Sequence, residues 1–347
     1  MPFESDLQLG PILGSGHFGE VLEGNEPAHG LVAVKRLKQA AGETQAAFIA
    51  RNSHLLQEAQ HLSAAAHTNV VKVHSVVTET SSGAAHMVVE FCEGGSLLTE
   101  YEAGPLSVMR TRTIMTQVAA GLEHIHNLGL LHRDIKPANI LCKGSACKLG
   151  DFGLVTDDLV LGYASAAGYL DHLAPEVYHD GVTSVRTDVW AMGMTTYRLL
   201  HGHDFYQRHF GAANPAALIP LGKFAGSLPW LPHISKEWRK FVCDCLRDNP
   251  ATRIQSAHDF QQKLARIRVS RDWRCTLATD STQWECDEKN GRTAIVELTV
   301  HSANEHEWTA HREGAGILRR KISGVGSNGR LAPKDAHQQL SAFFAQF

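Results

Sequence analysis

Four short polar blocks in a fixed order constrain this chain more than its composition does. His132-Arg133-Asp134-Ile135-Lys136-Pro137-Ala138-Asn139 sets an acid, a cation two residues on and an amide five residues on. Asp151-Phe152-Gly153 follows twelve residues after Asn139, and Ala174-Pro175-Glu176 comes later. A lone Asp-Phe-Gly is ordinarily a turn, because glycine-containing turns are common. Near the start, Gly14-Ser15-Gly16-His17-Phe18-Gly19-Glu20-Val21 forms a GxGxxGxV loop. Glycines let a backbone approach phosphate oxygens closely and turn its amides towards them. Such a loop also marks dinucleotide folds, where it opens a helix and an acid follows about 20 residues on. Here Glu20 to Glu23 continues as a strand instead, and Val32-Ala33-Val34-Lys35 puts a lysine on the next one.

The 347 residues suggest about two domains. With 43% hydrophobic and 20% charged residues the chain can bury a core, which excludes a largely disordered chain. A net charge of -3 gives no global basic bias, so nucleic-acid binding is not indicated. No run reaches the roughly 18 apolar residues of a membrane span. Met1 to Asp6 lacks the basic start and apolar run of a secretory leader. The seven cysteines show no CxxC spacing and the histidines no HExxH block, so reduced thiols and no zinc site are expected.

Strands are predicted at Leu7–Leu13, Glu20–Glu23, Leu31–Leu37, Val70–Val77 and His86–Cys92, with a helix over Gln45–Ala66. Helices follow at Ser107–Leu128, Val185–Leu200, Trp238–Leu246 and Ser256–Ile267. The pattern changes near residues 269 to 272. Strands are then expected at Trp273–Ala278, Thr293–Val300, Glu307–His311 and Ile317–Val325, with a turn at Asn290-Gly291 and a closing helix over Pro333–Phe347.

Residues 7 to 268 resemble the eukaryotic-like (Hanks-type) Ser/Thr protein kinase family. The resemblance rests on the glycine loop, the strand lysine, the His-Arg-Asp block, Asp-Phe-Gly and Ala-Pro-Glu, in that order. It implies an α+β bilobal fold over residues 1–268, with a β-rich N-lobe over about 7–92 and a helical C-lobe over about 93–268. A small α+β domain over 272–347 would follow. The implied activity is transfer of the γ-phosphate of ATP to Ser or Thr hydroxyls of protein substrates, with Mg²⁺ and with autophosphorylation.

The resemblance also assigns roles. Asp134 would receive the hydroxyl proton and Lys136 would neutralise γ-phosphate charge. Asn139 and Asp151 would hold Mg²⁺. Gly14, Ser15, Gly16 and Gly19 would cover the phosphates. Val21, Ala33 and Leu141 would sandwich adenine, with Glu90 and Cys92 at the hinge and Val89 before it. Lys35 would pair with Glu58 and hold the α- and β-phosphates. Asp188 would anchor the catalytic loop. Arg133 would meet a phosphate on Ser165, or on Thr156 as the second candidate.

Gly168-Tyr169 stands where the family has Gly-Thr, so the substrate groove departs from the pattern there. The rival reading is a pseudokinase that binds partners without phosphotransfer. Such chains usually lose the strand lysine, the catalytic aspartate or the metal aspartate, and Lys35, Asp134 and Asp151 are all present. A cytoplasmic location and a partner bound through the C-terminal domain are expected. In that segment Trp273, Trp284 and Trp308 are expected in the core, and Arg319-Arg320-Lys321 on a solvated strand edge. A chain ending near Arg271 is expected to keep generic phosphotransfer.

Overall fold

The computed structural model describes residues 7–16, 19–37, 39, 42–50, 66–78, 85–151, 170–211, 215–222, 224–314, 317–322 and 325–346. Two compact units form. One takes residues from 1–97, 117–191 and 256–258, the other from 98–116, 192–255 and 259–347.

The elements run β1 (Gln8–Gly16), β2 (Gly19–Glu26), β3 (Gly30–Leu37), β4 (Val73–Thr78) and β5 (Ala85–Glu90), then α1 (Leu98–Ala103) and α2 (Val108–Asn127). A short hairpin of β6 (Ile140–Lys143) and β7 (Ala146–Leu149) precedes α3 (Pro175–Asp180), α4 (Val185–Phe210), α5 (Lys236–Cys245) and α6 (Ala257–Ala265). The chain closes with β8 (Arg274–Leu277), β9 (Ser281–Asp287), β10 (Arg292–Ser302), β11 (Glu305–Gly314), β12 (Ile317–Lys321) and α7 (Pro333–Gln346).

In the first unit, β1 to β5 form an antiparallel sheet of order β1-β2-β3-β5-β4. The β-branched side chains of Val32, Val34 and Val88 suit a pleated, packed face, and all three are fully buried. The expected helix over Gln45–Ala66 is helical at 45–50, and residues 51–65 fall outside the described set. In α2 the face predicted from its period is buried, with Ile114, Val118, Leu122 and Ile125 at 0% exposure. Gly129, at φ +77°, takes the left-handed turn that stops the helix.

Helices α1 and α3 and the β6–β7 hairpin come in addition to the expected elements, and three further elements differ from expectation. Helix α4 runs ten residues past Leu200. The chain turns at Gly202 (φ 73°, ψ 166°), and helix resumes because Phe205, Tyr206 and Phe210 have apolar surface to bury. A Cβ at Gly202 would fall 2.5 Å from the backbone of Gly104, so no larger residue fits. Strand β9 was missed, since Gln283, Glu285 and Asp287 make it read as a polar loop. Its alternate residues Trp284 and Cys286 are the inward pair. Strand β12 ends at Lys321, short of Val325.

In the second unit, β8 to β12 form an antiparallel meander of order β12-β11-β10-β9-β8. The Asn290-Gly291 turn joins β9 to β10, with Gly291 at φ +75°. The inward face carries Trp284, Val296 and Ala310 in register. Helix α7 lies on that face. Phe343 packs 5.6 Å from Trp308 and Phe344 5.3 Å from Trp284, ring to ring. Trp273, Trp284 and Trp308 are all buried, as expected of core tryptophans. The sheet is also fastened to earlier segments of this unit. Trp284 Nε1 donates to His233 Nδ1 at 2.9 Å. Asp272 accepts from Ser107 Oγ and from the Met109 amide, so the residue at the expected domain boundary caps α2.

Candidate active site

A cavity of about 450 Å³ opens in the first unit. Val21, Ala33 and Leu141, the expected adenine sandwich, all line it, with Val73, Met87 and Val89 extending the apolar wall. Gly14, Lys35, Glu90, Cys92, Asn139 and Asp151 are the predicted polar and backbone residues that reach it. Gly16 pairs with Gly19 and Ser15 with Glu20 across the β1–β2 turn, so the glycine loop is a hairpin rather than a helix start. Beyond the hinge, Gly95 at φ +65° turns the chain, and a Cβ on Gly94 would meet the Cys142 Cβ at 2.7 Å. Only glycine allows that approach.

Lys35 leaves β3 almost fully buried, and its Nζ donates to Asp151 Oδ1 at 2.7 Å. Desolvation in the cleft pushes the Asp151 carboxyl up. The Lys35 charge and hydrogen bond outweigh it and hold the group below the ordinary carboxylate range. Asp151 takes φ +58°, a left-handed backbone that a non-glycine residue adopts at a cost. Glu58, the expected partner of Lys35, lies outside the described residues, as do Thr156 and Ser165.

The loop before β6 converges on Asp134. Lys136 Nζ lies 2.9 Å from Asp134 Oδ2, and Asn139 Nδ2 donates to the same oxygen at 2.7 Å and to the Asp134 carbonyl at 2.8 Å. Because its amide nitrogen is spent on Asp134, Asn139 keeps Oδ1 as an acceptor. Asn139 Oδ1 and the Asp151 carboxylate are hard oxygen donors from neighbouring segments, a set that fits Mg²⁺.

Asp188, 1% exposed in α4, holds this loop from behind. Its Oδ2 accepts from the His132 amide at 2.9 Å and its Oδ1 from the Arg133 amide at 2.8 Å, while His126 Nε2 sits 2.8 Å from Oδ2. Burial pushes this carboxyl up, and the hydrogen bonds from His126 and the His132 amide, with the nearby imidazoles, bring it below its usual range. His132 Nε2 meets the Gly150 carbonyl at 3.0 Å, linking the loop to the residue before Asp151. Arg133, expected to meet a phosphate, takes φ +65°, and its Nε donates to Thr183 Oγ1 at 3.0 Å.

Sequence reasoning missed Lys148. Its Nζ donates to Glu90 Oε1 at 2.7 Å, Lys143 reaches Oε2 at 3.2 Å, and the Lys72 amide donates to Oε1 at 2.7 Å. Glu90 was expected at the hinge, and its buried side chain also ties the residue before β4 to β6 and β7. A lysine inside the short apolar strand Ala146–Leu149 was the available signal, since buried lysines need partners. Burial and the Glu90 charge push the Cys92 thiol up to about 11, so it is no thiolate nucleophile.

The family model of the protein kinase domain matches residues 7–264. The chain belongs to that family. It is 33% identical to mitogen-activated protein kinase kinase kinase 2 of Arabidopsis thaliana over 70% of this chain and 38% of that protein. It is 32% identical to cell division control protein 7 of Schizosaccharomyces pombe over 73% of this chain and 23% of that protein. Cytokinesis protein sepH of Aspergillus terreus is 35% identical over 91% of this chain and 22% of its own length. The chain thus spans well under half of each of these relatives.

Proposed function

We propose that this chain is an ATP-dependent protein kinase that phosphorylates Ser or Thr hydroxyls of protein substrates, itself included. The observation that carries this reading is the convergence of Lys136 and Asn139 on Asp134 Oδ2. It fixes one carboxylate where a substrate hydroxyl would lose its proton. The hydroxyl oxygen attacks the γ-phosphorus, its proton passes to Asp134, and the bond to the ADP oxygen breaks. Lys136 meets charge on the moving phosphoryl group, and Lys35 orients the α- and β-phosphates. Asn139 and Asp151 would hold Mg²⁺, which when bound would supply charge neutralisation on the phosphate oxygens. Presence of Lys35, Asp134, Asn139 and Asp151 together supports catalysis over binding alone.

The acceptor class rests on Lys136 standing two residues after Asp134. The test is phosphoamino-acid analysis of a generic protein substrate incubated with wild type and with Asp134→Asn. Phosphoserine or phosphothreonine from wild type alone supports the reading; phosphotyrosine alone, or equal transfer by the variant, overturns it.

Phosphorylation of Ser165, with Thr156 second, would add about −1.5 to −2 charge near Arg133. That phosphate would share Arg133 with Thr183. Residues 272–347 are read as a domain for a protein partner, and the cytoplasm as the place of action. None of the seven cysteines is joined in a disulfide, which suits a reducing compartment. No described helix is long and apolar enough to cross a membrane.

A further inference from the structure

A second cavity of about 450 Å³ is lined by residues of the second unit alone and shares none with the nucleotide cleft. Its walls are apolar and aromatic: Phe205 from α4, Trp230 from the loop before α5, Trp284 and Leu298 from the meander, and Leu340 from α7. Leu298 pairs with Thr282 across β10 and β9, on the same sheet face as Trp284. The volume and lining are those of a small-molecule pocket, which is largely apolar with a few polar groups that fix orientation.

The described lining carries one formal cation, Arg208, and no anion. Arg208, His209, His306 and His337 line the cavity, and among the described residues no Asp or Glu does. Arg208 donates to the Ala278 carbonyl at 3.2 Å and has no carboxylate partner among the described residues. Behind Trp230 stands a second guanidinium. Arg239 lies 5.9 Å from the centre of that ring and bonds the carbonyls of Ile234 and Leu231, again without a described carboxylate. His337 is held below the ordinary imidazole range by burial first and by Arg239 second. Burial and Arg239 likewise push His233 down to about 3. In neither case does a carboxylate pull the group back. Two uncompensated arginines beside an apolar hole make a site that repels cations and leaves neutral ligands unaided.

We propose that this cavity binds a small organic anion with an aromatic or branched apolar body, its acidic group meeting Arg208 and its body stacked between Trp230 and Trp284. Such a site would give the chain a ligand-sensing function separate from phosphoryl transfer. It rests on the second unit alone, so it stands or falls independently of the nucleotide cleft.

The test uses the full chain, with the nucleotide cleft saturated by ADP. It is titrated with anilinonaphthalenesulfonate and, in parallel, with phenylnaphthylamine, which has a similar aromatic body and no charge. Calorimetry is expected to give saturable one-to-one binding of the sulfonate. Arg208→Gln, an exposed and structurally tolerant change, should weaken the sulfonate about tenfold, the size of one lost charge-assisted contact, and move the neutral amine by less than about twofold. Leu298→Trp fills the hole and should abolish both, with an unchanged circular dichroism spectrum. Sulfonate affinity unmoved by Arg208→Gln, or binding that survives in folded Leu298→Trp, would overturn the proposal, as would the absence of saturable binding to wild type.

Discussion

The Nζ of Lys35 lies 2.7 Å from the Oδ1 of Asp151, joining strand β3 to the second residue after β7 across 116 positions of sequence. The pair places a buried cation beside a carboxylate that is 46% exposed at its side chain. Lys35→Met removes the charge that holds Asp151 down while the desolvation remains. The Asp151 carboxyl should then titrate upward from its present depressed value, which a carboxyl-selective NMR titration reads directly. Nucleotide affinity should fall at least about tenfold in the same variant, since the phosphates lose their only strand lysine.

Asp134 and Asp151 should fail differently. Asp134→Asn keeps an acceptor oxygen for Lys136 and Asn139 but cannot take a proton. Phosphotransfer should fall by about 10²–10⁴, the range of a lost general base, with the Kd for Mg-ATP unchanged within about twofold. Asp151→Asn keeps one oxygen but removes the negative charge that would face the metal, so it should weaken nucleotide binding in the presence of Mg²⁺ and leave metal-free binding nearly intact. Isothermal titration with and without Mg²⁺ separates the two.

What was readable in the sequence is what phosphate chemistry dictates. Asp134, Asn139 and Asp151 have few substitutes, and their spacing keeps them on one loop and the strand pair that follows. The valines of β3 and the face of α2 were readable because burial imposes a period. Other features were hidden because they depend on tertiary partners. Nothing local shows that Glu90 turns its carboxylate to Lys148, or that Arg133 takes Thr183 as a partner. Strand β9 was hidden for a different reason. Half its residues face water, and the pairing of Trp284 with Val296 supplies the order that its own residues do not.

Asp188 should be worth more to stability than its distance from the nucleotide suggests. It accepts two backbone amides of the catalytic loop while buried. Asp188→Asn turns an amide group towards one of those donors and should cost about 3 kcal/mol, with a parallel loss of activity. The pH dependence has a definite sign. The folded-state carboxyl lies below its ordinary 3.8, so its contribution is complete above that value and is lost as pH falls through the folded value. The melting difference between wild type and Asp188→Asn should therefore be constant from pH 7 to about 5 and shrink below about 4. A gap that widens on acidification would contradict the assignment.

Lys148 and Glu90, each 8% exposed, form a buried pair beside the hinge. Burial pushes the Glu90 carboxyl up, and the hydrogen bonds from Lys148, the Lys72 amide and Lys143 bring it below its usual range. Lys148→Met strands that carboxylate with only the more exposed Lys143 as a cation. A loss of about 2–3 kcal/mol is expected, less than for a pair with no second partner. In a double-mutant cycle, adding Glu90→Gln should recover part of the loss, since the stranded charge is then gone. Strict additivity would show that the two side chains do not act together.

Removing residues 272–347 should separate stability from nucleotide binding. Every residue that lines the nucleotide cleft belongs to the first unit, whereas the meander and α7 belong to the second, together with His233, Arg208 and the start of α2. A chain ending at Arg271 loses the Trp284 donor to buried His233 Nδ1, the Asp272 cap on α2 and the cover that Phe344 gives His233 at 6.0 Å. The exposed surface includes Trp230 and Leu231, so the shortened chain should melt several degrees lower and aggregate more readily. Its affinity for Mg-ATP should stay within about twofold, and generic phosphotransfer should persist at low temperature. Trp284→Phe isolates one part of this effect. It keeps the ring against Phe344 and removes only the indole donor, at a cost of about 1 kcal/mol. Calorimetric melting and ATP titration of both variants check the argument. Loss of nucleotide affinity in the truncated but folded chain would mean that the C-terminal segment supports the cleft after all.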